Sequence, residues 1–167
     1  MSPFDENGTM RLRCGMCGWI HYRNPYPACA VIVTKGDEVL LVKRGVEPRV
    51  GYWCLPSGFE EYDEPPETTA LRETKEETGI DVRLLNLFDV HYVSETSKHC
   101  VLIIYTAVPV DADVTNEDLR AEDDVTDARF FRFEEIPDDM AFVSHKSAIK
   151  KFIREKKTGD GERGKND

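Results

Sequence analysis

Residues Gly58–Ile80 read GFEEYDEPPETTALRETKEETGI, and this stretch decides the fold. Two prolines precede Glu67, which favours the start of a helix because proline is tolerated in a first turn. Gly79 is typical of the residue that follows the last turn of a helix. We therefore predict a helix from about Pro66 to Thr78. One face of this helix carries three carboxylates at i, i+3 and i+4: those of Glu73, Glu76 and Glu77.

Three like charges on one helix face repel one another and lower the stability of the helix. A hard divalent cation with oxygen ligands would compensate, so the cluster is a candidate site for Mg²⁺ or Mn²⁺. Arg72 lies four residues before Glu76 and can brace one carboxylate without neutralising the whole cluster. The alternative is a solvated acidic face, which is the usual role of a run of charges.

The same stretch resembles the Nudix box, the signature of hydrolases that act on nucleoside diphosphates linked to other groups. Its seven fixed positions are all filled here, by Gly58, Glu64, Arg72, Glu73, Glu76, Glu77 and Gly79. At residue frequencies of roughly 0.07–0.1 and about 150 start positions, the probability of a chance match is on the order of 10⁻⁵ or less. Thr74 stands where the pattern prefers an aliphatic residue, and we expect its side chain to point into the core.

This resemblance implies an α/β fold, the α/β/α sandwich of the Nudix family with a mixed β-sheet, and metal-dependent hydrolysis of a pyrophosphate bond. Carried onto this sequence, it implies four metal ligands: Glu73, Glu76, Glu77 and the carbonyl of Gly58. Glu64 and Arg72 would orient the cluster. The general base would be a box glutamate or an acid of the loop before the penultimate strand, where Asp124 is favoured. That loop also offers Glu122, Asp123 and Asp127.

Segments outside the Nudix box bear on the identity of the substrate. The motif that follows the box in NADH pyrophosphatases is absent, whereas residues 20–25 and 133–142 resemble enzymes related to plant plastid ADP-ribose/FAD pyrophosphatases. ADP-ribose or FAD is therefore the expected substrate, a small-molecule nucleotide. NADH, nucleoside triphosphates and a non-catalytic nucleotide sensor are the alternatives. Arg44 could reach phosphates, and two aromatic residues could stack on the base: Trp53 and Phe59. The alternative role of Arg44 is surface solubility, and that of the two aromatic residues is core packing.

The N-terminal region contains Cys14-Gly-Met-Cys17-Gly, which resembles the second half of the zinc ribbon that precedes the Nudix domain in NADH pyrophosphatases. A structural Zn²⁺ needs four ligands, and no second Cys-x-x-Cys is present. His21 could supply a third ligand, or two chains could share one ion, but a metal-free remnant is the favoured interpretation. The chain has five cysteines, an odd number that favours reduced thiols in the cytoplasm.

Apolar runs predict the other elements. Strands are expected at Ala28–Thr34, Val39–Val42, Gly51–Leu55, Asp81–Val93, Val101–Val108 and Arg129–Phe133. A final amphipathic helix is expected from about Ser144 to Glu155. The predicted organisation is a loose arm with the Cys-x-x-Cys extension over residues 1–26, a Nudix domain over 27–156, and a disordered charged tail over 157–167.

Charge and hydropathy exclude several classes of partner. Lys and Arg total 22 and Asp and Glu total 32, so the net charge of −10 argues against nucleic-acid binding. No apolar run approaches the ~20 residues that cross a bilayer. Residues 1–10 also lack the pattern of a signal peptide, and we expect a cytoplasmic protein without a membrane partner. Homodimers are common in the family that the sequence resembles, so a homodimer is an open expectation.

Overall fold

The computed structural model describes residues 1–95 and 98–163. It contains two sheets and two helices. The N-terminal sheet consists of β1 (Ser2–Glu6), β2 (Thr9–Arg13) and β3 (Ile20–His21). The central sheet consists of β4 (Tyr26–Lys35), β5 (Glu38–Arg44), β6 (Trp53–Cys54), β7 (Ser57–Phe59), β8 (Val82–Val93), β9 (Cys100–Pro109) and β10 (Val125–Arg132). The helices are α1 (Pro66–Thr78) and α2 (Val143–Arg163).

The central sheet is mixed, as predicted. Its strand order is β10-β5-β4-β9-β8, with β6 paired to β5 and β7 paired to β4. β4 and β9 are parallel, whereas the other pairs are antiparallel. Alternate β4 residues belong to two apolar clusters: Cys29, Val31 and Val33 pack with Ala70 of α1, and Ala30 and Ile32 pack with Ile149 of α2. The predicted α/β/α sandwich is therefore confirmed.

The bounds of α1 are those predicted from its end signals. Proline occupies its first turn, and Gly79 follows with φ 74° and donates its N–H to the carbonyl of Lys75 at 2.8 Å. Thr74 is fully buried and donates its hydroxyl to the carbonyl of Ala70 at 2.8 Å. The threonine thus satisfies its own polar atom inside the helix and does not disturb the acidic face.

The prediction of a loose arm at the start of residues 1–26 is wrong, because Ser2–Arg13 forms the β1–β2 hairpin. Asn7 and Gly8 both have positive φ, 53° and 85°, as a two-residue hairpin turn of this kind requires. A salt bridge of 2.6 Å from Arg11 to Glu6 joins the two strands. The Asn7-Gly8 pair is the feature of the sequence that indicates this hairpin turn.

The C-terminal helix is longer than predicted. α2 continues to Arg163 rather than ending near Glu155, so most of the predicted disordered tail is helical. Residues 164–167 of that tail lie outside the described residues. Conversely, the predicted strand Gly51–Leu55 is shorter in the structure, where the strand spans only Trp53–Cys54. Within the described part of the chain, no helix combines the length and the apolar character needed to cross a membrane.

Candidate active site

Arg72 stands at the centre of the acidic face of α1. Its Nε and Nη2 each donate to one carboxylate oxygen of Glu64, both at 2.9 Å. Its Nη1 donates to Glu73 at 2.8 Å and to Glu76 at 2.9 Å, and Nη2 also reaches the carbonyl of Phe59 at 3.2 Å. The hydrogen bonds from Arg72 lower the pKa of Glu64 to about 2. Arg72 therefore ties the loop before α1 to two carboxylates of the helix.

Gly58 provides the space that the Glu73 carboxylate occupies. A methyl group placed on Gly58 would lie 2.0 Å from both Cδ and Oε1 of Glu73. Gly58 is held there by β7, whose register places it opposite Cys29 of β4. The Glu73 side chain is only 13% exposed, and burial raises the pKa of its carboxyl group. Any side chain at position 58 would displace this carboxylate.

Glu77 points inward from the same helix. It is 4% exposed, and its Oε2 accepts the backbone N–H of Ser57 at 2.9 Å. Burial raises its pKa to about 8, and the nearby charges of Glu73 and Asp123 add to that effect. A buried carboxylate with a raised pKa is a group that a nearby cation would stabilise.

The donor set fits a hard divalent cation, because carboxylate oxygens and backbone carbonyls are its preferred ligands. Glu73 and Glu77 both contact the Ser57–Gly58 loop, whereas Glu76 is half exposed and paired with Arg72. Across residues 1–95 and 98–163, no three acidic, histidine or cysteine side chains converge closely enough to hold a metal ion. The structure therefore brings Glu73 and Glu77 to one loop, whereas Arg72 holds both Glu73 and the more exposed Glu76.

A cleft of about 700 Å³ opens beside this loop, a size suited to a small ligand. Its walls include the two loop residues Ser57 and Gly58 together with Arg44, Arg49, Phe59, Lys98, Asp124, Phe142, Ser144 and His145. Phe59 is 43% exposed, and the Lys98 ammonium lies 5.0 Å from its ring centroid. The cleft thus combines cationic groups with an exposed aromatic face.

Two of the three predicted substrate-binding residues, Arg44 and Phe59, line this cleft. The Nε of Arg44 donates to the carbonyl of Pro48 at 2.7 Å, and its guanidinium lies 5.2 Å from the Phe142 ring centroid. Trp53 does not line the cleft. It is 7% exposed and packs edge-on against Phe131 at 4.8 Å, so its position corrects the expectation that it stacks on a base.

The loop before β10 contributes acidic residues to the site. Asp124, the favoured base, lines the cleft, and its carbonyl accepts the N–H of Gly45 at 2.7 Å. Burial is the main cause of the raised pKa values of Glu73 and Glu77, and the charge of the neighbouring Asp123 adds to both. Counting residues from the strand could not separate these neighbours, because their orientation depends on the turn that precedes Val125.

His145 is a cleft residue that sequence analysis missed. It is 3% exposed, and its Nδ1 accepts the backbone N–H of Leu55 at 3.2 Å. Burial lowers its pKa to about 4, so the ring is neutral at physiological pH. Its signal in the sequence was a single histidine at the start of an amphipathic helix, which by itself indicates only a buried position.

The cysteine pair lies apart from this site, in the turn between β2 and β3. Backbone N–H groups of Cys17 and Met16 lie close to the Cys14 sulfur and lower the pKa of its thiol. All five thiols are free, and no third ligand joins this pair among the residues that the structure describes. Cys29 is buried under α1, where its thiol donates to the carbonyl of Pro66 at 3.2 Å.

Comparison with known proteins identifies the family. The NUDIX domain family matches residues 24–152, which leaves the N-terminal sheet and its cysteine pair outside the match. ADP-ribose pyrophosphatase of Methanocaldococcus jannaschii is 35% identical over 133 residues, which cover 77% of this chain and 75% of the relative. NAD-capped RNA hydrolase NudC of Pseudomonas aeruginosa is 30% identical over 128 residues, which cover 75% of this chain but only 43% of the relative.

Solved structures agree with this assignment. A NUDIX hydrolase from Nitrosomonas europaea superposes with a TM-score of 0.83 at 30% identity, covering 95% of this chain and 88% of that one. The NUDIX domain of Shewanella oneidensis NrtR, complexed with ADP ribose, superposes with a TM-score of 0.64. Its coverage is 80% of this chain and 90% of that one, and at 20% identity it supports the fold alone. The chain therefore belongs to the Nudix family, and it is an enzyme of the pyrophosphohydrolase class.

Proposed function

We propose that this enzyme hydrolyses the pyrophosphate bond of ADP-ribose with Mg²⁺ or Mn²⁺ bound at the carboxylates of α1. The observation that carries the proposal is the burial of Glu73 and Glu77 against the Ser57–Gly58 loop, at the wall of a ligand-sized cleft. The archaeal relative named ADP-ribose pyrophosphatase, 35% identical to this chain, supports the choice of substrate.

The proposed metal ligands are Glu73, Glu76, Glu77 and the carbonyl of Gly58. A divalent cation at these ligands would neutralise the diphosphate and lower the pKa of a bound water. Arg72 would compete with such a cation for Glu73 and Glu76, because its Nη1 donates to both carboxylates. Glu64 anchors Arg72 through two hydrogen bonds and so limits how far the guanidinium can move.

The remaining roles belong to cleft residues. The proposed role of the Arg44 guanidinium is to bind the phosphate that leaves, and that of the exposed Phe59 ring is to stack on the adenine; lining the cleft supports both roles. A carboxylate of the loop before β10 accepts the proton of the attacking water. Asp124 is the proposed base because it lines the cleft, and Asp123 is the second candidate because its charge acts on Glu73 and Glu77.

A second candidate substrate is an NAD-type dinucleotide. The NudC relatives, which are named NAD-capped RNA hydrolases, favour it, although this chain spans less than half of their length. FAD and nucleoside triphosphates also contain a diphosphate, so the assay includes them as candidate substrates. A non-catalytic nucleotide sensor is the remaining alternative, and the complete set of box residues argues against it.

The test incubates the protein with ADP-ribose, FAD, NADH and nucleoside triphosphates in Mg²⁺ or Mn²⁺ and separates the products by chromatography. Metal-dependent release of AMP from ADP-ribose supports the proposal, provided that Glu76→Gln abolishes it. Glu155→Gln is the matched control, because Glu155 is an exposed residue of α2 outside the site. Faster turnover of NADH than of ADP-ribose would move the assignment to the dinucleotide, and nucleotide binding without turnover would indicate a sensor.

The cysteine pair has a separate proposal. We infer that Cys14 and Cys17 are a metal-free remnant of a zinc ribbon, because they have no third ligand among the described residues. Elemental analysis of protein purified without chelators tests this. Stoichiometric zinc that is lost in Cys14→Ser would contradict it.

A further inference from the structure

The Leu55–Gly58 segment needs support from outside its own strands. β6 ends at Cys54 and β7 begins at Ser57, so Leu55 and Pro56 lie between two very short strands. Leu55 is fully buried, and a buried backbone N–H without a partner is costly. The acceptor for this N–H is the Nδ1 of His145, 90 residues further along the chain.

The start of α2 is well placed to provide that support, because it is itself anchored on two sides. The Trp53 N–H donates to the carbonyl of Asp139 at 3.0 Å, and the Ala141 N–H donates to the carbonyl of Trp53 at 2.7 Å. On the other side, the Glu95 carboxylate accepts the first N–H groups of the helix at 2.7 and 2.9 Å, those of Val143 and Ser144. His145 follows these anchors directly and is held in one orientation.

The segment that His145 holds is the one that contacts the catalytic carboxylates. Two residues after Leu55, the Ser57 N–H donates to Glu77, and the next residue, Gly58, lies beneath Glu73. A shift of the Leu55 backbone would therefore be transmitted over three residues to both carboxylates. Pro56 makes this transmission stiffer, since its φ is restricted and its carbonyl is bound by the N–H of Val31 at 3.0 Å.

We propose that His145 is a positioning residue for the reaction: by accepting the Leu55 N–H, it holds the Ser57–Gly58 loop in register with Glu73 and Glu77. This inference rests on the proposed function of the same site. The role requires an acceptor at the Nδ1 position and not merely a side chain that fills space. It also requires the tautomer protonated at Nε2, because Nδ1 must present its lone pair to the amide.

Two variants of similar size distinguish the role of His145 as a hydrogen-bond acceptor from its role in packing. In His145→Asn, the side-chain oxygen stands two bonds from Cβ, as Nδ1 does, and can accept the same hydrogen bond. In His145→Leu, a methyl group takes that position and the Leu55 N–H loses its partner. We expect His145→Leu to lower kcat for ADP-ribose by about 10- to 100-fold, the usual range for residues that support metal ligands, and to raise the Mg²⁺ concentration for half-maximal activity. KM should change little, and His145→Asn should stay within a few-fold of the unmodified enzyme.

Two readouts do not depend on turnover. Hydrogen exchange of the Leu55 amide in the metal-free protein should be slow in the unmodified chain and in His145→Asn, and fast in His145→Leu. Calorimetric titration with Mn²⁺ should show weaker binding only in His145→Leu. If the unmodified protein does not hydrolyse ADP-ribose, the proposed function fails, yet amide exchange and Mn²⁺ binding still decide the role of His145.

Two results would overturn the inference. One is equal loss of kcat and Mn²⁺ affinity in both variants, which would indicate a packing role. The other is a folded His145→Leu with unchanged kcat and Mn²⁺ affinity. If His145→Leu does not fold, His145→Gln replaces it, because its acceptor stands one bond further from Cβ and misses the amide. The ring ¹⁵N shifts of the unmodified protein are a final check, and protonation at Nδ1 would contradict the proposal.

Discussion

Replacing Gly58 with alanine tests the geometry of the site with a single methyl group. That methyl would lie 2.0 Å from the Glu73 carboxylate, whereas ordinary contacts begin at 3.4 Å, so the carboxylate must move by about 1.4 Å. Gly58 does not have a positive φ, and alanine therefore causes no backbone strain there. The clash is with the end of a flexible side chain, so we expect the fold to persist while Glu73 leaves its position.

The expected loss of activity follows from that displacement. A misplacement of ~1 Å at a catalytic group costs roughly 10²-fold in rate, so Gly58→Ala should lower kcat for ADP-ribose by about 100-fold or more. The assay measures AMP release over a range of Mg²⁺ concentrations, beside a thermal melt of each protein. Gly15→Ala is the matched control, because a methyl there meets nothing within 4 Å and that glycine also lacks a positive φ.

The outcome that refutes this reasoning is specific. If Gly58→Ala keeps kcat within about two-fold of the unmodified enzyme and melts at the same temperature, the position of the Glu73 carboxylate is not needed for turnover. Glu73 would then lose its assignment as a metal ligand. A large drop in melting temperature would instead show that Glu73 cannot rotate away, and the steric argument would fail at that step.

Three further predictions concern stability and support of the site. Glu64→Gln should lower kcat by about 10- to 100-fold, because Arg72 loses its anchor. The pKa of Glu64 is lowered to about 2 in the folded protein, so its ionised carboxylate stabilises the fold above the usual pKa of a glutamate. This stabilisation is lost as the pH falls toward 2. The melting temperatures of Glu64→Gln and the unmodified protein should therefore converge in acid. Leu41→Ala removes a fully buried side chain and should cost about 2–5 kcal/mol in urea unfolding; a smaller loss would mean that the core rearranges. Burial lowers the pKa of His145 to about 4, so between pH 6.5 and 4 this histidine is protonated in the unfolded chain but not in the folded protein. The free energy of unfolding should therefore fall by up to about 3 kcal/mol as the pH drops from 6.5 to 4. His145→Asn should remove that slope in urea unfolding at stepped pH, and an unchanged slope would assign it to another group.

The local signals in the sequence were strong enough to predict α1 to the residue. Proline can begin a helix and Gly79 can end one through its positive φ, so both bounds depend on neighbours in the chain. The resemblance to the Nudix family implied the mixed sheet and the sandwich, and the apolar runs of the chain predicted most of the strands. The structures of the N-terminal arm and the C-terminal tail were harder to predict, because short polar segments carry little hydrophobic periodicity. The only sequence signal for the hairpin of residues 1–13 was one Asn-Gly pair.

The roles of side chains that contact distant parts of the chain could not be predicted from local sequence signals. Sequence alone determined the identity of the acidic cluster and its attachment to one helix face, because helical spacing is a property of the local chain. Only the tertiary structure decided that Glu77 turns toward Ser57 while Glu76 stays on Arg72, that Trp53 packs into the core, and that His145 meets Leu55. Those outcomes depend on how β6, β7 and α2 pack together, and contacts between residues 90 positions apart leave no periodic signal in a single sequence.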